Sequence, residues 1–402
     1  MTETHRAYGV VMQVVLLMLV WASVSCAFGD PPVSDESPVA PPINLAPGSE
    51  YADAARQFQG IPGIERAANG RLWATWYGGG VTEDQHNYIM LVTSGDDGRH
   101  WSPLKMVIDP DRDGPIRAYD PCLWHDPQGR LWLFWAQNLS EMKKDGGLWA
   151  IHAENSGDEN PQWSKPQWIA PGVMMNKPTA LSTGEWLLPV ARWFRDGSNE
   201  PVVSLDRGIT WRVLGRANVP KAQDRNCDEP MIVERKNGDL WMLVRAKYGI
   251  GESISTDRGR TWSDVIPTQL TQTVSRFFVR RLKSGRLLLV MHSPQPPAAA
   301  RSHLTAYVSE DDGKTWLGGL LLDDRVQVSY PDAVESPEGV IYLIYDYARY
   351  SDKQIFMAVF AEQDVLEKKA GETTRLRVLV NQATGVTPSD PAKSKPPAKK
   401  SA

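Results

Sequence analysis

An eight-residue phrase of the form S-x-D-x-G-x-x-W is written four times in this chain, and no other feature so limits what the chain can fold into. It stands as SGDDGRHW at 94–101, SLDRGITW at 204–211, STDRGRTW at 255–262 and SEDDGKTW at 309–316, with a worn copy, SGDENPQW, at 156–163. Successive copies begin 62, 48, 51 and 54 residues apart. Each copy reads as a tight polar hairpin. The Asp accepts backbone N–H groups within the turn, the Gly permits a positive φ, and the Trp packs beneath the adjoining strands. These aspartates therefore have a mechanical job, and none of them counts as catalytic.

Between the hairpins run short apolar segments, each introduced by a turn: GRLWATWYGG, GRLWLFWAQ, GEWLLPVARW, GDLWMLVRA, GRLLLVMHS and GVIYLIYDY. No long stretch of helical period interrupts them. A period near fifty residues with several strands per unit is that of a β-propeller. Six such segments and five hairpins predict an all-β fold, a six-bladed β-propeller of four-stranded antiparallel blades, with the last blade closed by the first strand of the domain. The predicted boundaries are a signal peptide at 1–26, a Pro-rich linker at 27–46, the propeller at 47–370, and a strand remnant with a disordered Pro/Lys-rich tail at 371–402.

The ends carry the localisation signals. MTETHRAYG bears Arg6 and precedes VVMQVVLLMLVWASVSC, an apolar run ending in small residues, which reads as a leader for export to a secreted or periplasmic location. Cys26 leaves a lipid-anchored alternative open. No later stretch is long and apolar enough to span a membrane. A net charge of -4 argues against a nucleic-acid partner. His86 and His125 have no metal-ligand spacing, and no phosphate loop or dinucleotide fingerprint occurs, so neither metal nor cofactor is expected. Cys122 and Cys227 remain after the leader and read as two free thiols, and the oligomeric state stays open. Sixteen Trp suit a sugar-binding surface but also fill cores.

The pattern S-x-D-x-G-x-T-W within a six-bladed propeller resembles the Asp-box (BNR repeat) of the sialidase (neuraminidase) superfamily, over roughly residues 45–370. Further segments extend the likeness. CDEPMIVERKNGDLWMLVR (227–245) is similar to the family segment in which a Glu-Pro opens a strand and an arginine ends the next, which implies Glu229 as the catalytic glutamate and Arg245 as a substrate-binding arginine. RSHLTAYVSEDDGKTW (301–316) implies a second such arginine, Arg301. SYPDAVESPEGVIYLIYDY (329–347) implies Tyr330 as the nucleophile and puts Asp346 where the family has the acid that holds the first-blade arginine, here as a substrate contact to a sugar hydroxyl. FQGIPGIERAANGRLWATWYGGGVTED (58–84) places Asp84 where the acid/base aspartate belongs, with Glu83 beside it as the alternative. Taken singly, each residue reads as ordinary strand or loop furniture. Their joint placement relative to the hairpins makes the site.

These types belong together chemically. A sialoside carries a carboxylate on its anomeric carbon, which would repel an Asp or Glu nucleophile, and sialidases use Tyr instead. A phenol has a pKa near 10, so it needs a base such as Glu229. Guanidinium forks suit the substrate carboxylate. The chain departs from the family at one point. The arginine expected directly before Ile61-Pro62 is replaced by Gly60, with Gln59 the nearest polar side chain and Arg56 or Arg66 as possible substitutes. Lys177, Arg117 and Asp120 could reach the same cleft from the second and third blades. The resemblance implies an exo-acting, retaining glycoside hydrolase for terminal sialic acid or a related acidic sugar. The alternatives are a propeller hydrolase or lyase for a different sugar, and a non-catalytic carbohydrate-binding propeller.

Overall fold

A computed structural model describes residues 39–112, 114–139, 146–193, 198–294 and 296–386. The predicted leader, the first part of the linker and the Pro/Lys-rich tail lie outside them. Among the described residues no helix is long and apolar enough to cross a membrane. Six four-stranded antiparallel sheets follow one another along the chain, within 58–108, 116–171, 179–213, 225–267, 278–323 and 328–382. The third blade carries an accessory three-stranded sheet, Ala191–Arg192, Ser198–Asn199 and Ala217–Asn218. One short α-helix, Glu362–Glu367, sits between the last two strands of the sixth blade.

The ring is held by side chains between blades. Trp73, Leu123 and Leu133 fill the joint between the first and second blades, and Trp124, Trp186 and Leu188 the next. Leu187, Val203 and Met242 bridge the third and fourth, and Leu243 and Leu289 the fourth and fifth. Ala306 and Val308 of the fifth blade meet Leu343 of the sixth. The remaining joint, between the last blade and the first, packs Ile64, Leu72 and Trp76 against Tyr342, Ile344 and Met357. Six joints for six blades make a closed ring.

The closure differs from the expected one. The first strand, Phe58–Arg66, pairs within its own blade, and the fourth strand of the last blade is Arg375–Gln382. The propeller thus runs to Gln382, past the expected boundary at 370. The sixth blade is complete in sequence order, so it borrows no strand, and burial of the sixth apolar joint closes the ring.

The repeated octapeptides sit between the third and fourth strands of their blades. In the copy at 204–211, Ser204 Oγ donates to Asp206 and accepts from Gly208 N at 2.7 Å, while Asp206 accepts from Thr210 N at 2.9 Å. Arg207 and Gly208 both take positive φ, 61° and 85°. Two successive left-handed residues suit the twist of a tight hairpin, which explains the glycine.

A second periodic device aims at the axis. On the inner strands, Ile61, Asp120, Glu229 and Tyr330 each precede a proline, and each has a positive φ of 58°, 51°, 44° and 56° respectively. At all four the pairing with the next strand slips by one residue. Such a bulge re-aims one side chain, and its left-handed backbone costs about 1–3 kcal/mol for a residue other than glycine. Three of the four side chains so displayed are Asp120, Glu229 and Tyr330.

Candidate active site

Glu229, Arg245, Arg301 and Tyr330 are brought together from the fourth, fifth and sixth blades. Arg245 Nη1 lies 2.5 Å from Glu229 Oε1 and donates to Tyr330 OH at 3.1 Å. The Tyr330 hydroxyl lies 3.4 Å from the same Glu229 oxygen. The Arg301 guanidinium stands 5.2 Å from the centre of the Tyr330 ring. Burial and the Glu229 charge push the phenol up to about 12, against the pull of Arg245, Arg301 and a further arginine, Arg349. The resting hydroxyl is therefore protonated, with a carboxylate beside it to receive the proton.

Arg349 is the residue that sequence reasoning missed. It follows the strand Val340–Tyr347 of the last blade, and its guanidinium lies 4.9 Å from the centre of the Tyr330 ring. Its Nη1 donates to Glu83 Oε1 at 2.7 Å. Its Nε faces Asp346 Oδ2 at 3.8 Å. Asp346 is fully buried and accepts from Ser329 Oγ at 2.6 Å and Ile61 N at 2.9 Å. It thus lies behind Arg349 as an anchor rather than as a substrate contact, with burial raising its pKa. The available signal was the spacing of Asp346 and Arg349 together with the bare Gly60, a pairing that only the ring makes meaningful.

Several sequence expectations change. Gln59 is buried and spent on the joint between the first and last blades. Its amide donates to Lys353 O at 2.7 Å and Asn381 at 3.0 Å, and its carbonyl accepts from Arg56 and Trp76, both at 3.1 Å. Lys177 is not a substrate contact either. Its ammonium is enclosed by Ile64 O at 2.6 Å, Leu123 O at 2.7 Å, Glu65 at 2.8 Å and Asp332 at 3.1 Å. A buried ammonium needs such partners, and here they tie four blades together. Arg56 is likewise buried and bound to Gln59, Tyr51 O, Asp53 and Asn381, so it does not substitute for the missing arginine. Arg66 lies over the Tyr342 ring at 5.9 Å, in the joint with the last blade, and does not substitute either.

The first-blade loop presents Glu83 to Arg349, while Asp84 turns its carboxylate onto its own loop, accepting from His86 N at 2.9 Å and Thr82 N at 3.3 Å. Asp84 lines a separate cavity with Tyr51, His86 and Tyr88. Asp120 is buried, its Oδ2 has no hydrogen-bond partner, and burial raises its pKa to about 8, with Arg117 pulling down and Glu83 and Glu229 adding to the rise. Arg117 stacks on Tyr119 at 3.9 Å. Cys122 and Cys227 are free thiols. Among the described residues no group of three or more His, Cys, Asp or Glu side chains is placed to hold a metal ion.

The BNR repeat-like domain family matches residues 70–343, more than half of the chain. The chain belongs to this family, within the sialidase superfamily. An anhydrosialidase of Macrobdella decora is 29% identical over 194 residues, covering 44% of this chain and 23% of the relative. A sialidase of Micromonospora viridifaciens is 24% identical over 331 residues, covering 71% of this chain and 49% of the relative. The chain thus spans less than half the length of either. Among solved structures, the Hadza microbial sialidase Hz136 superposes with a TM-score of 0.61 at 20% identity, over 73% of this chain and 64% of that one, which shows the shared fold.

Proposed function

We propose that this BNR-repeat propeller is an exported exo-glycoside hydrolase that removes a terminal sialic acid, or a closely related acidic sugar, with retention of configuration. The observation that carries the reading is the buried contact set of Tyr330, Glu229 and Arg245. Tyr330 Oη attacks the anomeric carbon as its proton passes to Glu229. The glycosidic C–O bond breaks, and the leaving oxygen takes a proton from a carboxyl group on the other side of the cleft. A water then attacks the tyrosyl glycoside, returning a proton to that carboxyl, while Glu229 gives its proton back to the released phenolate. Arg245, Arg301 and Arg349 favour the developing negative charge on the phenol oxygen, which offsets the high resting pKa.

The proton donor is Glu83, on the exposed loop at the tip of Arg349, with Asp120 as a protonated hydrogen-bond donor deeper in. An acid that must exchange protons with water belongs at the mouth. The test is turnover of aryl sialosides and of neutral aryl glycosides by wild type and Tyr330→Phe. Sialoside cleavage lost in Tyr330→Phe, with an unchanged melting temperature, is the expected result. Preference for a neutral glycoside, or full activity in the variant, would overturn the reading.

A further inference from the structure

We infer that Arg349, delivered from the last blade, is the third arm of the carboxylate clamp, and that Gly60 is glycine because the stem of Arg349 lies across it. The inference rests on the proposed acidic-sugar substrate and names how its carboxylate is held. A Cβ built on Gly60 would collide with Arg349 Cδ and lie 2.7 Å from its Cγ and 2.9 Å from Asp346 Oδ2. The space that a first-blade side chain would fill is therefore taken by a sixth-blade arginine. The two positions act as one unit.

The geometry around the head group supports a ligand role. Three guanidiniums, Arg245, Arg301 and Arg349, converge on one phenol from three blades. Arg245 is paired with Glu229. Among the described residues Arg301 has no carboxylate partner, and its one hydrogen bond is a long contact of 3.4 Å to Val274 O. Arg349 is held among the rings of Phe58, Tyr330 and Tyr350, with its guanidinium 6.0, 4.9 and 5.6 Å from their centres. Its outward Nη1 is held by Glu83, a loop carboxylate that is 37% exposed. A planar fork fixed along its length and held by a surface carboxylate at its tip is arranged to accept another carboxylate. An acidic sugar would take the place of Glu83 on Nη1 and would leave Glu83 free for proton transfer.

The experiment measures binding of free sialic acid by calorimetry, and hydrolysis of an aryl sialoside and its methyl ester, in wild type, Arg349→Ala, Arg349→Lys and the relocation variant Gly60→Arg/Arg349→Gly. Arg349→Ala should lose about a hundredfold or more in affinity and in kcat/KM for the acid, mostly through KM, with a much smaller loss on the ester. Arg349→Lys should restore part of it, and the relocation variant should recover preference for the acid over the ester. Equal losses on acid and ester, or unchanged affinity in Arg349→Ala, would overturn the inference while leaving the hydrolase reading intact. Binding of sialic acid that depends on Arg349 without turnover would keep the clamp and sink the hydrolase reading. No binding of sialic acid by wild type would overturn both.

Discussion

Asp120 should make the protein less stable as pH rises, and Asp120→Asn should remove that dependence. The carboxyl is 2% exposed and its Oδ2 has no partner, so burial favours the neutral form and carries the pKa from 3.8 to about 8. The folded state then holds a proton that the unfolded chain releases above about pH 4, so stability falls between these two values and is flat above the higher one. At about 1.36 kcal/mol per pH unit, that span amounts to on the order of 5 kcal/mol at full development, an upper bound that any relaxation around the ionised carboxylate lowers. Asn is close in shape to the protonated acid and cannot ionise. Urea unfolding of wild type and Asp120→Asn at pH 4, 6 and 8 is the assay. The two should agree closely at pH 4, and the variant should be the more stable by several kcal/mol at pH 8. A difference that does not change with pH would refute the reasoning.

Three further outcomes rest on the geometry. Glu83→Gln should lower kcat on substrates with poor leaving groups far more than on activated aryl glycosides, whereas Asp84→Asn should change both little; the reverse pattern would return the acid role to Asp84. Lys177→Met should cost about 3–5 kcal/mol in urea unfolding, because it strands the buried Glu65 and Asp332 carboxylates, and a loss of turnover with unchanged stability would count against the structural role. Gly60→Ala should displace Arg349 and raise KM for an acidic substrate at least about tenfold, while an unchanged KM would mean that the stem yields without moving the head.

The propeller is legible in the sequence because its hairpins need special chemistry. Positive φ at Arg207 and Gly208, and Asp206 bonded to Thr210, leave few residue choices, so the pattern repeats visibly. Glu229 and Tyr330 are legible for a related reason, since each precedes a proline at a bulge that turns it to the axis. Gln59 is misread because the bulge beside it breaks strand alternation, and position in sequence then no longer tells which way a side chain points. Lys177 is misread because its partners come from three other blades, which no local pattern brings together. Arg349 is missed because its role depends on an absence, the bare Cα of Gly60, which lies far away in sequence and adjacent only once the ring closes.

The most direct test of the central claim is chemical capture of Tyr330. A 3-fluoro sialosyl fluoride, whose ring fluorine slows breakdown of a glycosyl intermediate, is incubated with the protein, quenched, digested and read by mass spectrometry. The account predicts one added sugar on the peptide carrying Tyr330, none in Tyr330→Phe, and a product of retained configuration by NMR. Turnover with no labelled Tyr330 and an inverted product would contradict it.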